Sequence, residues 1–184
     1  MNIGTRINGG SNQGTDCSSA SAIQKYCYNN IDAYCDSNNN PNYPDGGLYQ
    51  WSQAMCGSTT PGVQGICPDG WHIPTDAELC TLEQTVDSTI SCDSTGWRGT
   101  DGGTKLKPNG SSGFEGNLAG YRQTNGSLYV RGQETYIWSS LEGCSSASWL
   151  RQLHERSAGV YRNALSKLYG YSIRRLKDWL LEIC

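Results

Sequence analysis

Hydrophobic and polar positions follow a clear period over only part of this chain. Leu79, Leu82 and Val86 fall at i, i+3 and i+7, the spacing of one helical face. Thr75 followed by Glu78 is a capping box, in which hydroxyl and carboxylate satisfy opposite orphan amides. Pro74 holds Ile73 extended, so the pattern predicts a helix over 75–86 docked on a core. LYQW (48–51), TYIWSS (135–140), SWLRQL and YGYSIRRL read as short strands. AGYRQTNGSLYVR (119–131) reads as a hairpin turning at Thr124, Asn125 and Gly126. Residues 18–35 read as partly helical. Residues 1–16, 36–47, 87–118 and 154–168 read as irregular, from their Gly, Asn, Ser and Pro content or lack of period. WLLEIC (179–184) is an apolar tail, a short helix or an extra strand. With no linker and no internal repeat, 1–184 forms one α+β domain with an irregular lead-in and an extra C-terminal tail.

Residues 147–178 depart from this picture. Arg151, Leu153, Val160, Arg162, Lys167, Gly170 and Ser172 form a regular frame. Between them stand residues of no shared chemistry and no helical or strand period: Leu150, Gln152, His154, Glu155, Arg156, Ala158, Tyr161, Ala164 and Leu165. A core segment would show a period, and a catalytic one would show convergent polar groups. A fixed scaffold carrying interchangeable residues is what a recognition surface needs.

Composition narrows the class. Hydrophobic residues make up 36% of the chain, with 23 Gly, 11 Tyr and 6 Trp, which suits a loop-rich fold anchored by amphipathic rings. No apolar run approaches the roughly 20 residues of a membrane span. MNIGTRINGG has no apolar stretch, so an export signal would lie outside this chain. Residues 145–184 carry seven of the 14 Lys/Arg and three of the 17 Asp/Glu, a local +4 against −7 for the remainder. Those basic residues are evenly spread and belong mostly to the frame, which argues for neighbouring loops as their partners and against nucleic acid. Direct membrane insertion is not expected, and a monomer is.

Nine cysteines, no CxxC and two histidines, His72 and His154, argue against zinc and for disulfides in an oxidising, extracellular or cell-surface setting. Local spacing suggests Cys27–Cys35 first, then Cys56–Cys67 and Cys80–Cys92. The odd count leaves at least one thiol unpaired within a monomer.

The blocks YCYNN (26–30), GGLYQW (46–51), GICPDGWHIPTDAE (65–78), AGYR (119–122), WSS (138–140) and GYSIRRLKD (170–178) occur in order. With them the chain, over residues 2–178, resembles the Fibrobacter succinogenes major paralogous domain family. That resemblance implies a C-type-lectin-like fold of short antiparallel strands, two helices and long loops. The final segment is further similar to the variable region of proteins diversified by retroelements, in which adenines of a template are randomised around a fixed frame. The resemblance assigns Leu150, Gln152, His154, Glu155, Arg156, Ala158, Gly159, Tyr161, Asn163, Ala164, Leu165 and Tyr169 as variable, ligand-binding positions. Ala147, Arg151, Val160, Arg162, Lys167 and Gly170 match the frame. The family's Ser-Val-Arg-Cys-like strand is here Ser172–Ile173–Arg174–Arg175, so a disulfide made at that place is lost and its partner is left free.

The remaining chemistry is sparse. No GxSxG, HExxH or phosphate-binding loop occurs, so no enzyme activity is expected. His72 reads as a packing residue and His154 as a contact residue. The Glu-Pro-Asn or Gln-Pro-Asp motif of calcium-dependent lectins is missing; Asp93, Asp101 and Glu115 are the candidates for a structural Ca²⁺, with no other cofactor expected. Trp149 and Tyr171 should face the core, and Tyr161 and Tyr169 the surface. Arg151 and Arg162 should hold the segment by bonding backbone carbonyls. The expected function is a receptor-type variable protein that binds a protein or cell-surface ligand through the 148–169 face. The alternatives are an adhesion or structural module without diversification, and a carbohydrate-binding lectin.

Overall fold

The computed structural model describes residues 1–36 and 45–178. The rest of the 36–47 loop, the 179–184 tail and Cys184 lie outside the described residues. Among the described residues the elements are short. Strands β1 (Thr5–Arg6) and β2 (Gln24–Lys25) precede helix α1 (Asp32–Cys35), strand β3 (Leu48–Tyr49) and helix α2 (Trp51–Ala54). Strand β4 (Trp71–His72), helix α3 (Asp76–Val86), strand β5 (Gly96–Arg98) and helix α4 (Gly102–Leu106) follow. The hairpin β6 (Tyr121–Arg122) and β7 (Leu128–Tyr129) leads to the long strands β8 (Glu134–Cys144), β9 (Ala147–His154) and β10 (Val160–Ser166). Strands β11 (Tyr171–Ser172) and β12 (Leu176–Lys177) close the described part. The fold is α+β, centred on a six-stranded sheet of order β3-β11-β8-β9-β10-β5.

The expected helix is α3. Thr75 accepts from the Glu78 amide at 3.2 Å, and Glu78 accepts from the Thr75 amide at 2.8 Å. The expected hairpin pairs Tyr121 with Tyr129 and Arg122 with Leu128. Two stretches read as irregular contain regular structure. Residues 87–118 hold β5 and α4, and residues 154–168 hold all of β10. The lead-in is also tied down, since β1 pairs with β2 and the Gln13 and Gln50 side chains each accept the other's backbone amide at 2.7 Å.

The period of β9 and β10 was hidden because the sheet's inner face is charged. Register pairs Arg162 with Arg151 and Val160 with Arg98, so these side chains share the face covered by α3. All three arginines are buried there, with Leu153 and Val160 beside them. Helix α3 meets them with Asp76 and Glu83, which are also buried. Asp76 accepts from Arg151 at 2.6 Å and from Arg162 at 2.8 Å, while Glu83 pairs with Arg98 and Arg151. The expected backbone-carbonyl anchoring of Arg151 and Arg162 is therefore corrected. Their main partners are two helix carboxylates, because buried guanidinium charge requires opposite charge as well as hydrogen bonds. Carbonyl bonds, such as Arg151 to Asp76 O at 3.1 Å, are secondary.

The opposite face builds the main core from Trp51, Trp138, Leu150, Tyr49, Tyr171 and Ile173. Trp51 and Trp138 are amphipathic anchors whose indole N–H groups donate at 2.9 Å to Ser139 O and Tyr49 O.

Three disulfides join Cys17–Cys56, Cys27–Cys35 and Cys80–Cys92. Such bonds persist in oxidising surroundings. The expected Cys56–Cys67 bond does not form. Gln53 on α2 donates to Asp16 O at 3.3 Å and to Cys17 Sγ at 3.4 Å, drawing the lead-in against α2 and placing Cys17 next to Cys56. Cys67 turns into the core as a free thiol, and burial pushes its pKa up to about 12. The charge of Arg175 works against that rise.

Candidate functional site

Strand alternation sorts the variable-type residues. Register pairs Leu150 with Asn163 and Gln152 with Tyr161, while His154 pairs with Glu134 of β8. One cross-strand row therefore runs Tyr136, Gln152, Tyr161, Trp97 over β8, β9, β10 and β5, on the face away from α3. The core covers the β3 half of this face. The β10–β5 half is open.

There Trp97, Glu134, Gln152, His154, Arg156, Ser157, Ala158 and Tyr161 line a shallow concavity of about 730 Å³. Five of the twelve expected contact residues, Gln152, His154, Arg156, Ala158 and Tyr161, thus meet at one place. Glu155 is at its rim, ion-paired to Arg156 at 3.1 Å, and Asn163 donates to the Tyr161 hydroxyl at 2.9 Å. The other five lie elsewhere. Leu150 is wholly buried in the main core, beyond a ligand's reach. Gly159 is buried against the Arg98 carbonyl, where a Cβ would stand 2.7 Å from that oxygen. Ala164 pairs with Trp149 on the α3 face, Leu165 packs on the core, and Tyr169 stacks on Tyr171 at 5.4 Å. Tyr169, expected at the surface, is half-buried in a tyrosine stack because its ring extends the one begun by Tyr136 and Tyr171. Tyr171 is core as expected, and Trp149 is half-buried beneath the Arg162 guanidinium, 3.8 Å above its ring.

The concavity's shape is held by backbone and charge. Lys107 donates to the carbonyls of His154, Glu155 and Ser157 at 3.0, 3.1 and 2.9 Å, which fixes the β9–β10 connection. Burial lowers the Lys107 pKa. His154 Nδ1 accepts from the Arg156 amide at 3.0 Å, so the neutral ring carries its proton on Nε2, 3.5 Å from Glu134 Oε1. Glu134 Oε2 accepts from the Tyr136 hydroxyl at 2.7 Å, and together with burial this pushes the phenol's pKa upward.

Trp97 and Glu134 were not singled out in the sequence. Trp97 is 47% exposed, a large ring left facing solvent. Its only signal was a lone bulky aromatic between glycine and arginine in a polar stretch. Its centroid lies 5.3 Å from Tyr161 and 6.4 Å from His154.

Among the described residues no three His, Cys, Asp or Glu side chains converge to hold a metal ion, so Asp93, Asp101 and Glu115 do not form a shared site. Asp101 pairs with Lys105 at 2.9 Å, and Glu115 accepts the Asn109 amide at 2.9 Å. No helix of the described residues is long and apolar enough to cross a membrane.

The family model described as the Fibrobacter succinogenes major domain matches residues 2–177, nearly the whole chain. The chain belongs to the Fibrobacter succinogenes major domain family. Neither a curated protein nor a solved structure matches it. In this member of the family the matched region contains both the Arg–carboxylate layer and the open half of the sheet face.

Proposed function

We propose that this domain is a non-catalytic, C-type-lectin-like recognition module of the cell exterior, of the type diversified by retroelements. It binds a protein or cell-surface ligand, as a monomer, through the open part of the 148–169 face. One observation carries this reading: alternation turns the ion-paired arginines of β9 and β10 to one face of the sheet and Gln152, His154 and Tyr161 to the other. Arg151 and Arg162 point to the helix and are ion-paired there, while Gln152, buried, and His154 and Tyr161, half-buried, stand on the other face beside the exposed Glu155, Arg156 and Ala158. A pre-ordered frame spares the entropy of ordering a loop, so exchanged side chains can bind without remodelling. Three disulfides support the exterior setting.

The test is a displayed library randomised at Gln152, His154, Glu155, Arg156, Ala158 and Tyr161, panned against a panel of purified extracellular proteins. Folded binders specific to single panel members are expected. A library that yields none, while one randomised at surface positions of α3 does, would overturn the assignment of this face.

A further inference from the structure

We infer that the corner formed by Trp97, Tyr161, His154 and Glu134 receives a cationic side chain, arginine or lysine, of a protein ligand. This rests on the recognition-face reading above and names the chemistry of one corner of that face. Trp97 belongs to β5, outside the 147–178 segment, so it is a constant element under an exchangeable one. The Tyr161 ring is tilted 56° to it and the His154 ring 87°. Rings so inclined make a corner, which suits a compact cation held by ring quadrupoles; a sugar ring favours a single flat platform. Trp is the strongest of these partners, and its ring is the one left exposed.

Charge agrees with shape. Glu134 is the one carboxylate in the lining, with an 18% exposed side chain. A carboxylate accepts about four hydrogen bonds. Its contacts with Tyr136 and His154 leave acceptor capacity for an incoming N–H group. The only cation in the lining, Arg156, has an 85% exposed side chain turned onto Glu155, so it does not fill the corner.

The test uses the whole oxidised domain, ¹⁵N-labelled, with the Trp97 indole N–H assigned from a Trp97→Phe variant. The probes are Nα-acetyl-arginine methylamide, its uncharged analogue acetyl-citrulline methylamide, acetyl-glutamate methylamide and methyl α-mannoside. The arginine probe should shift the Trp97 indole and the Tyr161 and His154 amides saturably. Citrulline should bind more weakly, and Glu134→Gln should weaken arginine binding roughly two- to fivefold with the fold unchanged. Equal shifts from citrulline, preferential shifts from mannoside or glutamate, or no shift from the arginine probe would each overturn the inference. The two readings fail separately. Panned binders with no basic residue at the corner would remove the cation site alone. An arginine-responsive corner on a face that selects no binders would remove the recognition face alone.

Discussion

Arg151 shows at the residue scale how this molecule divides its work. Its guanidinium bonds Asp76 and Glu83 from the centre of a layer that sets three arginines against two carboxylates. Burial works to raise the Asp76 pKa, but hydrogen bonds and charge from Arg162 and Arg151 outweigh it and hold the carboxyl low. Removing one partner from such a buried group leaves uncompensated charge in the interior. Arg151→Ala should therefore cost about 3–5 kcal/mol in urea unfolding. Arg151→Lys should not restore it fully, because a lysine cannot reproduce the forked contact. A loss below about 1 kcal/mol would mean the layer adds little to the fold. Gln152, the next residue along, faces the other way and, though buried, carries no charge to be left unpaired.

At the element scale, what was legible depended on whether the decisive contacts were local. Helix α3 was readable because its cap and apolar face lie within a dozen residues. The hairpin β6–β7 was readable from its turn. Strand β10 was not, because its α3-facing positions are Val160, Arg162, Ala164 and Ser166, a mixed set in which no hydropathy period shows. Likewise Cys17–Cys56 spans 39 residues and depends on the lead-in packing against α2. The open site was legible through Gln152, His154, Arg156, Ala158 and Tyr161 but not through Trp97 or Glu134, which join it only by strand pairing. The short pair β4–β12 gives a prediction of its own. His72 Nδ1 lies 2.5 Å from Asp178 and its Nε2 lies 3.1 Å from Glu78, so the ring fastens β12 to the cap of α3. Burial works against the charged ring, yet the bonds to Asp178 and Glu78 raise its pKa above the ordinary 6.5. A raised histidine contributes stability that is full below about 6.5 and lost as pH rises through the folded value. For Glu78, burial opposes the bonds from Thr75 and His72, which prevail and lower it, so its contribution holds above 4.5 and fades as pH falls. Unfolding free energy should accordingly decline from pH 6 towards pH 8, with His72→Gln flattening that decline. An unchanged slope in the variant would show that His72 does not fasten these elements.

At the scale of the whole molecule, one sheet serves two purposes on its two faces. Towards α3 it is locked by buried ion pairs and by the apolar contacts of Leu153, Val160, Ile90 and Leu106. Away from α3, the half next to β3 carries the aromatic core and the half next to β5 is open to a partner. Disulfides Cys17–Cys56 and Cys27–Cys35 staple the N-terminal third, and Cys80–Cys92 ties α3 to the loop that leads into the strand bearing Trp97. The buried ion pairs and the strand residues that line the open half thus lie on different faces of the sheet, and the proposed recognition role rests on that separation. Its most direct test is equilibrium urea unfolding of the oxidised domain carrying His154→Ala, Glu155→Ala, Arg156→Ala and Tyr161→Ala together, with the buried Gln152 left in place. Surface substitutions cost about 0.5 kcal/mol or less each. The four combined should therefore cost less than Arg151→Ala alone. A fourfold variant that unfolds more easily than the Arg151 variant would show that the open half of the face holds the fold together, and would contradict this division.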